Sequence, residues 1–125
     1  MNSKVIATPN FQREAKKLNK KYHSLKKELK ELVESLEKDP IQGTLIGENV
    51  YKIRLSIKSK GKGKSAGARI ITYLHIEETK ENEQVVYLIS IYDKSDYENI
   101  SDNFIQQIID EIEKENESSD DDSAA

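Results

Sequence analysis

Gln84 to Tyr92, QVVYLISIY, is apolar on both of its faces. A strand of this kind cannot lie with one face in water; it belongs inside a sheet covered on both sides. The chain has 125 residues, the length of one domain, so its own helices have to supply both covers.

Helical periodicity appears in three places. Thr8-Pro9 reads as an N-cap followed by proline in the first turn, and Phe11, Ala15 and Leu18 follow at helical spacing. A short connection leads to Ser24, a candidate cap, and then to a stripe of Leu25, Leu29, Leu32, Val33 and Leu36. Asp39-Pro40 ends that helix, because proline disfavours helix in the residue before it. Ser101 caps the third, whose stripe is Phe104, Ile105, Ile108, Ile109 and Ile112. Lys4–Ala7 reads as a short strand, 41–49 as a connecting loop, and 50–58 and 68–77 as strands. The order is β-α-α-β-β-β-α. It predicts an α+β domain with a mainly antiparallel sheet, an N-terminal helical hairpin and a C-terminal helix.

Charge is divided along the chain. Residues 1–80 carry a formal +9 and residues 81–125 carry −12, so the net −3 describes neither part. We expect a folded domain over 1–112 and an acidic, Ser-rich, disordered tail over 113–125. There is no cysteine, and the two histidines are far apart in sequence, which argues against a thiolate or histidine metal site. The first residues, MNSKVIATPNF, contain no apolar signal region, so the expected location is the cytoplasm.

The strongest chemical signal lies between Tyr51 and Tyr73. Tyr51, Ile53, Leu55 and Ile57 alternate with Lys52, Arg54, Ser56 and Lys58, setting apolar side chains against three cations. The loop then reads Lys60-Gly61-Lys62-Gly63-Lys64, and Arg69 enters the next strand. Seven cations fall between Lys52 and Arg69 with no acid among them. A lysine- and glycine-rich hairpin tip is often only a soluble, blunted edge. Cations that continue down the strand face go beyond that need and point to a polyanion, with phosphate the usual one.

Taken together, Tyr51-Lys52-Ile53-Arg54-Leu55, the K-G-K-G-K loop, Gly67-Ala68-Arg69-Ile70-Ile71 and Ile91-Tyr92-Asp93-Lys94 resemble the RelE/ParE superfamily of toxins from type II toxin–antitoxin modules, and more closely its HigB-like branch. The resemblance spans roughly residues 4–112 and implies a RelE-like fold. It also implies a ribosome-dependent mRNA endonuclease, an mRNA interferase that inhibits translation from the ribosomal A site. The ribose 2′-OH would attack the adjacent phosphate with no metal or other cofactor. Such chemistry needs a base, cations for the charge growing on phosphorus, and an acid for the leaving oxygen. A lysine can take the proton where neighbouring cations favour its neutral form. By matching position, Arg54 and Arg69 are the candidate clamps, Lys52 or a loop lysine the base, and Tyr92 or Lys94 the acid. Lys58, Lys60, Lys62 and Lys64 are candidate RNA contacts. His23 and His75 read as structural, and Tyr92 equally as an aromatic packed on the last helix. The implied partners are mRNA on the ribosome and a cognate antitoxin with a helix-turn-helix domain. The alternatives are a ParE-like inhibitor of DNA gyrase, since fold does not settle function, and a non-catalytic RNA-binding protein.

Overall fold

The computed structural model describes residues 3–60, 67–77, 83–96 and 100–124. Strand β1 (Lys4–Ala7) leads into helix α1 (Pro9–Lys21) and helix α2 (Leu25–Lys38). Strands β2 (Thr44–Gly47) and β3 (Val50–Leu55), a short 3-10 turn (Lys58–Lys60), strands β4 (Ala68–Glu77) and β5 (Glu83–Asp93), and helix α3 (Asp102–Ala124) follow. The five strands form one sheet in the order β1-β5-β4-β3-β2. β1 runs parallel to β5, and the other three pairings are antiparallel.

The doubly apolar strand is indeed covered on both faces. Val86, Leu88 and Ile91 pack with Phe11, Leu25, Leu32 and Leu36 of the hairpin. Ile89 and Tyr92 pack with Ile105, Ile108, Ile109 and Ile112 of α3. Successive side chains of β5 point to opposite faces, and its pairing with β4 shifts between Ile71 and Thr72, with Ile89 the extra residue on β5. Leu25, Leu36, Ile70 and Ile89 are fully buried, each stabilising the fold by about 1.5–3 kcal/mol. Thr8 joins the layers. Its hydroxyl accepts from the Phe11 amide at 3.2 Å and donates to the Leu88 carbonyl at 2.8 Å.

Several local expectations are corrected. The 41–49 loop contains β2, which pairs with β3 through a turn at Asn49, where φ is 60°. β3 stops at Leu55, so Lys58 leaves the strand face for the 3-10 turn. Ser24 makes no side-chain cap on α2; its hydroxyl donates instead to Glu28 at 3.0 Å and meets Ser59 at 2.8 Å. Phe104 belongs to the apolar stripe by spacing but is 36% exposed, since it sits before the helix has closed on the sheet. α3 does not end at Ile112 but runs through the acidic segment to Ala124. Glu113, the first residue of the expected tail, is tied to the sheet: it accepts from the Tyr73 hydroxyl at 2.8 Å and lies 3.0 Å from His75 Nδ1.

Candidate functional site

Lys52, Arg54 and Arg69 come from two adjacent strands. Arg54 stands directly opposite Arg69 across β3 and β4, and Arg69 stands directly opposite Tyr92 across β4 and β5. Opposed residues share a face, so Arg54, Arg69 and Tyr92 form one row across three strands. Lys52, two residues along from Arg54, lies on the same face. A hollow of about 400 Å³ opens beside the row. Its lining includes Lys52, Tyr92, Ile46 and Ile71, together with Ser101 and Asp102 at the start of α3. The Phe104 amide donates to Ser101 Oγ at 3.4 Å, so the predicted cap closes that helix end.

The row is graded in exposure. Arg54 is exposed, whereas Arg69 is only 4% exposed and Tyr92 likewise 4%. Arg69 is therefore not on an exposed strand face: its strand β4 is an inner one, between β3 and β5. Burial, and next the charge of Arg54, push the Arg69 guanidinium below its ordinary value, while Tyr92 acts in the opposite sense. The guanidinium stays protonated all the same. Burial raises the Tyr92 phenol above its ordinary value, partly offset by the Arg69 charge. The Tyr92 phenol is thus held in its protonated form at neutral pH. Like charges directly opposed across strands repel, and an anion set between Arg54 and Arg69 relieves that repulsion.

The other candidates lie around the same end of the molecule. Lys94 is exposed just beyond β5, where its amide donates to the Gly67 carbonyl at 3.2 Å. Lys58 is exposed in the 3-10 turn, and Lys60 closes that turn. Lys62 and Lys64 lie outside the described residues. Tyr92 packs against α3, as one reading of it expected, and also lines the hollow. His75 is structural, bound to Glu113, and His23 is exposed at the hairpin turn. Among the described residues, no group of three or more His, Cys, Asp or Glu side chains is placed to hold a metal ion.

Sequence reasoning gave Asp93 no role beyond its place in the Ile91-Tyr92-Asp93-Lys94 stretch. Its carboxylate is fully buried. It accepts from the Tyr22 hydroxyl at 2.6 Å, from the Ser95 amide at 2.9 Å and from Ser95 Oγ at 2.7 Å, with Lys21 Nζ at 3.8 Å. This cluster pins the end of α1 to the strand end that carries Tyr92 and Lys94. The signal was present: Asp followed two residues later by Ser is the pattern of a side-chain-stabilised turn.

Two comparisons with known proteins agree with this architecture. No curated protein matches the sequence. A solved structure of E. coli toxin RelE, a double arginine-to-alanine mutant in the free state, superposes with a TM-score of 0.55 at 19% identity, covering 90% of this chain and 99% of that one. At that identity the likeness speaks for the fold. The family model described as the RelE toxin of the RelE/RelB toxin–antitoxin system matches residues 3–122, nearly the whole chain, and this protein therefore belongs to the RelE toxin family.

Proposed function

We propose that this protein is a ribosome-dependent mRNA endonuclease of the HigB-like branch, acting in the cytoplasm and restrained by an antitoxin with a helix-turn-helix domain. Family membership supports the coarser reading, a toxin of a type II system with a RelB-type antitoxin as the implied partner. The observation that carries the catalytic reading is the cross-strand row Arg54–Arg69–Tyr92 with Lys52 beside it. In this reading Arg54 and Arg69 hold the scissile phosphate, and their positive charge stabilises the extra negative charge of the pentacoordinate transition state. Lys52, on the rim of the hollow, takes the 2′-OH proton. The 2′-oxygen bonds to phosphorus as the bond to the 5′-oxygen breaks. Tyr92, held protonated by its burial, gives its proton to that leaving oxygen. Lys94, at the exposed end of the row, is the other donor in reach of the same strand end.

Purified ribosomes carrying a defined mRNA test this. The protein should cut the message, and cutting should fall by roughly 100-fold or more in Arg69→Lys and Arg54→Ala, each removing a donor aimed at developing charge. Intact mRNA together with inhibited DNA supercoiling by gyrase would overturn the nuclease reading.

A further inference from the structure

We propose that the isoleucine-lined hollow beside the Arg54–Arg69–Tyr92 row is a base pocket that selects guanine, with Asp102 as the residue that reads it. The base belongs to the nucleotide whose 2′-OH attacks, on the 5′ side of the cut. The proposal rests on the nuclease reading above and adds to it a specificity that the row itself does not hold.

The row can grip a phosphate but cannot tell one base from another. Its cations meet the sugar–phosphate chain, which is the same for every sequence. Discrimination needs a space for the base and polar groups that match its edge. The hollow of about 400 Å³ meets both needs, and its volume falls within the usual range of small-molecule sites, about 300–1,000 Å³. Four isoleucines line it: Ile46 of β2, Ile71 of β4, Ile105 of α3 and Ile100 just before that helix. An apolar lining suits the flat face of a base, which gains by leaving water.

Lys52 fixes which base enters. It lines the same hollow, and in the nuclease reading it takes the proton of the attacking 2′-OH. The base of that nucleotide hangs from the next carbon of the same ribose. It is therefore the base closest to the hollow when the sugar lies against Lys52.

The polar groups fix the base type. Asp102 is exposed, and no hydrogen bond or ion pair ties its carboxylate to another described residue. A carboxylate only accepts. Guanine alone offers two adjacent donors on its pairing edge, N1–H and the N2 amino group. Adenine and cytosine set one amino group beside a ring nitrogen that would face the carboxylate with a lone pair. Uracil has one N–H between two carbonyls. A charge-assisted pair of bonds therefore favours guanine. Ser101 Oγ accepts from the Phe104 amide at 3.4 Å, which leaves its own proton to donate to guanine O6. The carboxylate also repels phosphate, which stays with the arginines. Beyond Asp102 the surface turns acidic, with Glu48, Asp110 and Glu113 around a neighbouring hollow. The RNA backbone is thus kept off that side, and only the base enters.

The test titrates the full chain with the four nucleoside 3′-monophosphates, each of which sets one base beside a phosphate like the one to be cut. Isoleucine methyl signals in NMR spectra report binding without ribosomes. Guanosine 3′-monophosphate should bind about 10-fold or more tightly than the other three and shift the methyls of Ile46, Ile71, Ile100 and Ile105. Inosine 3′-monophosphate, which lacks the 2-amino group, should fall between guanosine and the rest. Asp102→Asn keeps the shape and suits a helix start, and it should abolish the preference for guanine. Equal affinities, or no methyl shift with any of the four, would overturn the proposal. So would a guanine preference that survives Asp102→Asn, or a loss in that variant that is the same for all four bases. On ribosomes, messages with guanine 5′ of the cut should be cleaved with a kcat/KM about 10-fold or more above the other three, and Asp102→Asn should remove that ratio. Failure of the nuclease reading is recorded separately, as mRNA left uncut by the intact protein whatever the base, and leaves the nucleotide titrations readable.

Discussion

Replacing Asp93 by alanine should be among the most destabilising polar substitutions in this chain. From Tyr22 and Ser95, among the described residues, the carboxylate accepts three hydrogen bonds, but they are not equal. Ser95 is exposed, so its amide and hydroxyl exchange Asp93 for water at small cost. Tyr22 is only 9% exposed, and its hydroxyl would be left in a closed site without its 2.6 Å acceptor. Stranding such a group costs about 1–3 kcal/mol, and losing a bond to a charged acceptor has a net worth of about 1.5–3 kcal/mol. These figures overlap, and the expected total is about 2–4 kcal/mol. With a urea slope of about 2 kcal/mol/M, the unfolding midpoint should fall by about 1–2 M. Asp93→Asn keeps an acceptor of the same shape and should lose about half as much. Tyr22→Phe removes the stranded hydroxyl, so the double variant Asp93→Ala/Tyr22→Phe should be at least about 1 kcal/mol more stable than the sum of its parts predicts. A midpoint shift below about 0.5 M for Asp93→Ala with an unchanged slope, or strict additivity in the double variant, would refute the assignment of Asp93 as the pin between α1 and β5.

Three further outcomes follow from the geometry. A Cβ on Gly67 would overlap the Leu55 carbonyl, so Gly67→Ala should cost about 1–3 kcal/mol, whereas Gly47→Ala, whose Cβ would meet Val50 at an ordinary 3.7 Å, should change packing little; thermal melts separate the two. Burial, and then Glu113, raise the Tyr73 phenol above its ordinary value, so the folded state holds that proton more tightly than the unfolded chain. Stability should therefore fall as pH rises past about 10, and Tyr73→Phe should reduce that fall, as read from urea midpoints at successive pH values. Truncation after Glu113 should leave the melting temperature within a few degrees of the full chain, but truncation after Ile112 should reduce the unfolding free energy by a further amount of about 1–2 kcal/mol, since it removes the acceptor of Tyr73.

What was readable from residues alone is what local periodicity encodes. The helix stripes, the Thr8-Pro9 start, the doubly covered β5 and the segregation of charge each follow from spacing within a few residues. The element order follows from the same periodicity, and the resemblance to the RelE/ParE superfamily added the roles of the candidate side chains. β2 was missed because Thr-Leu-Ile-Gly is too short to show a period, and it becomes a strand only by pairing with β3. Helix continuation past Ile112 was missed because composition alone reads that segment as unable to bury anything, while Glu113 finds its partners 40 and 38 residues back.

The tertiary structure decided which side chains meet and which are buried. Arg69 alternates like a surface residue, yet its strand lies between β3 and β5, and position in the sheet rather than pattern along the strand put it out of solvent. The row Arg54–Arg69–Tyr92 depends on the register of two separate strand pairings. The inward turn of Glu14 and Glu28 depends on contacts 76 and 30 residues away in sequence. Periodicity is a property of neighbours along the chain and so is written in the sequence. Register and burial are properties of neighbours across space, fixed only when the sheet has closed and both helical layers have packed upon it.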